Sequence, residues 1–353
     1  MNNNATSKHF EWAIIGAGPA GIASIGQLIE NGVKAEDILW VDPSFKVGDL
    51  AQYWSNVSSN TIVKVFSDFL NKCTAFNYAK RPTEFALDEL SPLETCKLSY
   101  TIEPLQYVTK ELQQIVHSVT TSVAKLELAN HFWNLHTADN QILKAKSVIM
   151  ATGATPCAGF LKQPIEEIDM YNALDSNKLK LKVNANDTVA VFGSSHSAII
   201  LLRELLDLGV KQVINFYREP LKFAVPLESW TLFDNTGLKG TTAVWAREHI
   251  NGQLPERLTR VVSDQANIEQ IIPTCTKVIY ATGFKPRLIE VVGCPDYKYN
   301  PHNGIIAPGL FGVGIAFPES TTDIYGNNEL SVGLWKFITY LDRVVPLWLK
   351  YST

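Results

Sequence analysis

Gly16-Ala17-Gly18-Pro19-Ala20-Gly21 lies between an apolar run, Ala13-Ile14-Ile15, and a helix-compatible stretch, Ile22 to Glu30. A second apolar run, Ile38 to Val41, then ends at Asp42. This spacing predicts a buried strand, a glycine turn, a helix, a second strand and a terminal acid. One glycine makes the tight turn, one lets the backbone approach a pyrophosphate, and one lets helix and strand pack closely. The helix N-terminus adds partial positive charge and free N–H groups. Asp42, with Pro43 after it, falls about 20 residues past the last glycine, where a carboxylate accepts from ribose hydroxyls. The reading is a dinucleotide site, and the flanking strand, helix and acid make it more than a Gly-rich turn.

The chain then partly repeats itself. Thr188 to Phe192 is another apolar strand, followed by Gly193-Ser194-Ser195-His196-Ser197-Ala198. A helical run from Ile199 to Leu208 has Gly209 as its expected C-cap. Val213 to Tyr217 is then a second strand, ending at Arg218. Gly16 to Asp42 spans 26 positions, and Gly193 to Arg218 spans 25. A further echo supports the repeat. Ser147 to Met150 runs into Ala151-Thr152-Gly153, and Lys277 to Tyr280 runs into Ala281-Thr282-Gly283. Each reads as a buried strand returning to the sheet beside its own glycine turn.

At 353 residues the chain has room for two sizeable cores. Net charge is −4 and no Lys/Arg-rich run occurs, which argues against nucleic acid as a main partner. No window approaches 18 uninterrupted apolar residues, so no membrane span is expected. Residues 1–8 are polar, without an apolar signal core, and residues 1–9 read as a flexible tail. Five cysteines, Cys73, Cys96, Cys157, Cys275 and Cys294, are scattered and form no CxxC. That suits a reducing compartment and a cytoplasmic protein rather than a disulfide framework. Cys157, just past the first Ala-Thr-Gly, reads either as a neighbour of a cofactor or as a small buried packing residue. The seven histidines show no HxxxH or HExxH spacing, and no metal site is expected.

Thr121 to Leu128, His131 to Ala138 and Gln141 to Met150 predict a three-strand meander with turns at Ala129-Asn130 and Asp139-Asn140. After Gly283 the chain is loop-rich, with Gly293-Cys294-Pro295, Pro301 and Gly304 as breakers. An apolar strand, Gly309 to Gly314, follows. A last helix is expected from Asn328 as N-cap through Leu330 to Val344, with Leu334, Phe337, Ile338 and Leu341 as its apolar stripe. The expected fold is α/β, with two Rossmann-like three-layer dinucleotide-binding domains, the second inserted into the first. The first domain takes residues 10–155 plus 280–353, and the second takes residues 156–279 with its connecting segments.

The order GAGPAG, acid, meander, ATG, second glycine turn, ATG, late Gly-rich strand and final helix resembles the two-dinucleotide-binding flavoproteins over nearly the whole chain. These are the pyridine nucleotide-disulfide oxidoreductases, thioredoxin reductases and flavin-containing monooxygenases. The resemblance implies FAD in the first unit, NAD(P)H in the second and hydride transfer from nicotinamide to flavin. By position it implies that Gly16, Gly18, Pro19, Ala20 and Gly21 contact the FAD pyrophosphate and that Asp42 binds the adenosine ribose. It further implies that Val123 meets adenine through its backbone and that Thr152 and Gly153 line the same cofactor. The final helix would point its N-terminus at the flavin pyrimidine, with Asn328, Glu329, Leu330 and Ser331 as candidates.

The stretch Tyr53-Trp54 to Asn60-Thr61, followed by Phe66-Ser67-Asp68-Phe69, is similar to the flavin monooxygenase branch. There Trp54 would be the aromatic near the flavin and Asn60 the catalytic amide at the flavin–nicotinamide junction. The spacing from Asn60 to Phe66 is shorter than in that branch. On local grounds Asn60-Thr61 also reads as an Asx turn, and Ser67-Asp68 as a helix N-cap.

The chain also departs from the branch. Its Phe-x-Gly stretch ending in His-Ser or His-Thr is missing, for Phe160 to Met170 leads into Tyr171-Asn172. Ser195 stands where the middle glycine of the second turn belongs, and its Cβ narrows the approach to a pyrophosphate. Gly314-Ile315 stands where relatives place Gly-Asp, leaving backbone contacts from Gly314 and Ile315. Arg218 ends the second unit's strand where a carboxylate would favour a free 2′-hydroxyl, so NADPH is expected rather than NADH. Arg218 could equally pair with Glu219. Gly193, Ser194, Ser195, His196, Ser197, Thr282 and Gly283 complete the expected second site, with His196 either facing phosphates or exposed in the first turn. The glycine-bearing segment Leu232 to Gly240 is either a cover over substrate or a surface excursion.

These readings leave three functions. One is an NADPH-using FAD oxidoreductase that oxygenates a small molecule. Another is a flavin-dependent reductase of a quinone, disulfide or other acceptor. The third is a flavin-binding protein without turnover, its nicotinamide site degenerate. The expected partner is a small-molecule substrate or electron acceptor, and a homodimer is compatible with the chain.

Overall fold

The computed structural model describes residues 8–294 and 297–351. Residues 1–7 of the expected tail and Pro295 among the expected breakers lie outside the described residues, and His9 already belongs to a strand. The first half runs β1 (His9–Ile15), α1 (Pro19–Glu30), β2 (Ile38–Asp42), α2 (Gly48–Tyr53), β3 (Ser58–Ile62), α3 (Val63–Leu70), β4 (Thr95–Lys97), α4 (Ser99–Ile115) and β5 (His117–Thr120). The meander follows as β6 (Val123–Ala129), β7 (Phe132–Thr137) and β8 (Ile142–Met150). The middle contains β9 (Ala154–Pro156), β10 (Glu166–Glu167), α5 (Met170–Ala173), α6 (Ser176–Lys180), β11 (Thr188–Phe192), α7 (His196–Asp207) and β12 (Gln212–Tyr217). Then come β13 (Val225–Pro226), β14 (Thr231–Leu232), α8 (Gly240–His249), β15 (Leu258–Val262), α9 (Gln265–Ile271) and β16 (Lys277–Tyr280). The chain closes with β17 (Phe284–Pro286), β18 (Glu290–Val291), β19 (Ile305–Ala307), β20 (Leu310–Gly312), β21 (Glu319–Thr322), β22 (Asn328–Ser331) and α10 (Leu334–Trp348).

Five parallel strands, β5-β2-β1-β8-β20, form the centre of the first sheet. Strand alternation sends its side chains two ways. Trp12, Ile14, Ile38 and Trp40 pack under α1, α3, α4 and α10, while Ala13, Ile15, Leu39 and Val41 pack against the meander. Burial on both faces explains why these strands read as continuous apolar runs. The meander turns sit at Asn130-His131 and Asn140, all at positive φ.

The second sheet, β15-β12-β11-β16-β10, is wholly parallel. It repeats the first sheet's order of third, second, first, fourth and fifth strand, although β10 precedes the others in the chain. Leucines of α7 cover one face, and Phe192, Phe216 and Tyr280 stack on the other beside α9. All five strands lie between β8 and β20, so the second unit is an insertion in the first. Its two connections run side by side, because β9 and β17 pair antiparallel.

Three local expectations change. The last helix starts at Leu334, not near Asn328, because Gly333 (φ +143) interrupts and Asn328–Ser331 pairs with Glu319–Thr322 as a hairpin. Its period is two: Glu329 and Ser331 are buried, and Leu330 is exposed. Ser67-Asp68 is not a cap but lies inside α3, where Asp68 pairs with Lys64 one turn back. Gly209 (φ +77) does close α7, donating to the Leu206 carbonyl. All five cysteines are free thiols. Among the described residues no helix is long and apolar enough to cross a membrane.

Candidate active site

The first glycine turn is built by close approach. Gly16 (φ +112) leaves no room for a Cβ, which would run into the Ala151 carbonyl oxygen, and a Cβ on Gly21 would run into the Gly16 carbonyl. Gly16 donates to the Val41 carbonyl at 2.8 Å, and the Trp40 indole N–H donates to the Gly16 carbonyl at 2.9 Å. Gly18 differs: its φ is −75°, which any residue adopts, and a Cβ there would meet nothing within 4 Å. Its use is room above the turn. Two further glycines converge on that room. A Cβ on Gly48 (φ +59) would lie 3.2 Å from the Gly18 Cα, and one on Gly314 (φ +85) would lie 2.7 Å from the Ala20 Cβ. Pro19 occupies the first turn of α1, and no side chain caps that N-terminus. Open space, uncapped helix and close-lying backbone fit the diphosphate of FAD. Ile315 follows Gly314 at the same mouth.

Asp42 has a task that spacing does not announce. It is 6% exposed, and its carboxylate accepts from the Ala17 N–H at 2.7 Å, the Ser44 N–H at 2.8 Å and the Phe45 N–H at 2.7 Å. It thereby ties the glycine turn to the loop after β2, and a ribose hydroxyl would share oxygens already bonded. Pro43 is exposed beside it. Val123 is buried and opens β6 opposite Thr137. The Thr152 hydroxyl donates to the Arg287 carbonyl at 2.6 Å, so it faces the returning chain. Gly153 (φ +73) faces the Arg287 guanidinium, which pairs with Asp49 at 2.7 Å. Gly48, Asp49 and Arg287 escaped the sequence reading. A glycine six residues past Asp42 was a signal for the first, and nothing local marks Arg287.

The second turn copies the first. A Cβ on Gly193 (φ +127) would run into the Ala281 carbonyl, and Gly193 donates to the Phe216 carbonyl at 2.9 Å. Where Trp40 braces the first turn, the Asn215 amide donates to the Gly193 carbonyl at 2.7 Å. Arg260, on the edge strand, donates to Asn215 in turn and stacks on Tyr217. Ser195 is exposed at φ −93°, so its side chain sits without strain in the space that Gly18 leaves open. The Ser194 hydroxyl donates to the Glu219 carbonyl, and Ser197 lies in the first turn of α7. Arg218 is exposed at the strand end, and Glu219 pairs with Lys222 at 2.9 Å rather than with Arg218. His196 is neither exposed nor turned to the mouth. Its ring Nε2 lies 3.1 Å from the Ser58 carbonyl across the domain boundary, and burial lowers its pKa. Thr282 and Gly283 (φ +105) follow β16, and the Gly283 carbonyl accepts from the Cys157 N–H at 3.0 Å.

Between the domains lies a cavity of about 990 Å³. Asn60 lines it from β3, not from an Asx turn, and the start of α10, Gly333 to Lys336, lines it too. The segment 232–240 is no surface excursion, for it closes the cavity from the second domain. Glu329 accepts from the Asn235 N–H at 3.1 Å, the Thr236 N–H at 3.0 Å and the Thr236 hydroxyl. Lys336 donates to Asp234 and Asn235, and Lys239 also pairs with Asp234. Burial pulls Lys336 below the usual lysine range. Burial raises Asp234, but its bonds to Lys239 and Lys336 outweigh that and hold it low. Trp54 stands on the domain wall, stacked on Tyr171 at 5.3 Å and edge-on to Phe284 at 5.8 Å.

A family model described as pyridine nucleotide-disulphide oxidoreductase matches residues 10–225. The chain belongs to that family. It is an oxidoreductase of the pyridine-nucleotide class. A curated relative, the monooxygenase AgnR1 of Paecilomyces divaricatus, is 31% identical over 95% of this chain and 97% of its own. Among solved structures, a flavin-containing monooxygenase from Stenotrophomonas maltophilia has a TM-score of 0.66 at 14% identity, covering 98% of this chain and 100% of its own. The ornithine N-hydroxylase of Kutzneria sp. 744, with reduced FAD, NADP+ and L-ornithine, has a TM-score of 0.66 at 12% identity and the same coverage. These two likenesses concern the fold.

Proposed function

We propose that this oxidoreductase is a monooxygenase acting on a small molecule. The observation that carries the reading is the position of Asn60, an uncharged amide on the wall of a cavity that both domains enclose, across from the start of α10. The 31% identity to a monooxygenase over nearly the whole chain supports it. FAD held there would supply the redox chemistry, two electrons as hydride from NADPH and a proton from solvent serving to split oxygen between the substrate and water.

The chain's own residues prepare that chemistry. The turn Gly16–Gly21, with Gly48, Gly314 and Ile315, holds the diphosphate through main-chain N–H groups. The uncapped N-terminus of α10 opens on the cavity, and its helix dipole would stabilise an electron-rich ring there. Asn60 offers one donor and one acceptor without a competing charge. Ile62, Phe66 and Trp335 exclude water. Arg218, just past the end of β12, would read the 2′-phosphate that separates NADPH from NADH. Free thiols suit the cytoplasm, and a homodimer would be seen by size-exclusion chromatography.

The test is anaerobic titration with NADPH, then admission of oxygen. Bleaching of the flavin followed by oxygenated product supports the reading. Stoichiometric hydrogen peroxide with every substrate offered makes the protein a reductase, and no bleaching makes it a flavin-binding protein. Asn60→Ala should bleach at the wild-type rate yet divert roughly tenfold more oxygen to hydrogen peroxide. Unchanged partition removes Asn60 from catalysis.

A further inference from the structure

The cavity that holds Asn60 is large, and its charges are spent. The cavity measures about 990 Å³, space that the flavin ring and nicotinamide would share with a substrate. Apolar and aromatic side chains reach it from both domains: Ile62 and Phe66 from the first, Val244 from α8, and Trp335 from α10. The ionic groups along one side answer one another. Asp234 is held by Lys239 and Lys336, and Lys336 also donates to Asn235. Glu329, just behind, is consumed by the main chain of Asn235 and Thr236. A charged ligand in that recess would have to break these pairs.

The mouth is apolar as well. Leu93, Val244 and Val332 line it while 77%, 52% and 45% exposed. Single exposed apolar side chains are ordinary, but a set around one opening marks a surface that a ligand covers. Arg247 and Glu94 stand there with opposite charges, so the rim selects neither sign.

We propose that the substrate is an uncharged, largely apolar molecule, bound between Phe66, Trp335 and Val244. This rests on the oxygenase reading of the same cavity. In the recess itself a free ammonium or carboxylate would have to compete with the pairs that Asp234 already makes.

The test uses holoenzyme and equilibrium dialysis of two probes that share their rings: neutral N-phenyl-1-naphthylamine and its charged counterpart 8-anilinonaphthalene-1-sulfonate. The neutral probe should bind about tenfold tighter, because the sulfonate must be desolvated without a partner. Val244→Lys should weaken the neutral probe about tenfold, the equivalent of losing one buried apolar side chain. Leu181→Lys, at a residue 85% exposed outside the cavity wall, should leave binding unchanged. Equal or tighter binding of the sulfonate, or an unaffected Val244→Lys variant, overturns the proposal. Anaerobic bleaching by NADPH is scored separately on the same wild-type sample. Bleaching with failed dialysis sinks the substrate class alone, whereas absent bleaching sinks the redox reading whatever the probes do.

Discussion

The two glycine turns are built on one plan and finished differently. In both, the first glycine sits at positive φ against a carbonyl of the returning strand, Ala151 in one and Ala281 in the other. In both, a side chain from the neighbouring strand braces that glycine's carbonyl, Trp40 in one and Asn215 in the other. What differs faces the ligand: Gly18 against Ser195, and Asp42 at the end of one strand against Tyr217, with Arg218 just beyond it, at the end of the other. Strand-to-turn packing is the shared requirement, and the ligand face is where the copies diverged.

The strongest test of that division is to add one methyl to each packing position. Gly21→Ala and Gly193→Ala each force a Cβ into a carbonyl oxygen. Each should cost about 3 kcal/mol in urea unfolding. The first variant should purify without flavin, and the second should keep flavin but resist reduction by NADPH. If both lose flavin equally, the two turns are not separate sites.

Asp42 sharpens the contrast next. Asp42→Ala strands three main-chain N–H groups and should cost about 2 kcal/mol, with weaker FAD retention in titrations of the apoprotein. Arg218→Ala, at an exposed strand end, should leave stability unchanged. It should raise KM for NADPH roughly tenfold and barely change KM for NADH. Equal effects on the two would remove the phosphate from that position. Ser195→Gly should lower KM for NADPH about threefold if its Cβ crowds the ligand; no change means the loop already gives way.

The smallest expected effect concerns His196, a buried imidazole with a depressed pKa. Its unfolded counterpart takes up a proton near pH 6.5, while the folded form does not. Stability from this group is therefore complete above that pH and declines as the solution turns more acidic. Thermal melts from pH 7.5 to 5.5 should show the decline, and His196→Gln should flatten it.

The sequence made the repeat legible because each turn is a local object: strand, glycines and helix lie within thirty residues. The meander was legible for the same reason, with alternation inside each strand and Asn at the turns. Partners far apart in the chain were not. Asp49 meets Arg287 only because the inserted domain returns the chain beside α2, and Glu329 meets Thr236 only across the domain boundary. The expected start of the last helix fell in β22 because Asn328 reads locally as an N-cap. The buried residues there are Glu329 and Ser331, which tertiary bonds keep inside. Asn60 was visible through resemblance alone, since nothing within five residues says that a strand would aim it into a cavity.

Strands β9 and β17 pair edge to edge, so the inserted domain enters and leaves by a single doorway. A short peptide bridge joining residue 153 to residue 287 could stand in for the whole second lobe. Away from that doorway, Glu329 and Lys336 fasten the 234–236 segment of the lobe to the first domain, and His196 reaches the Ser58 carbonyl.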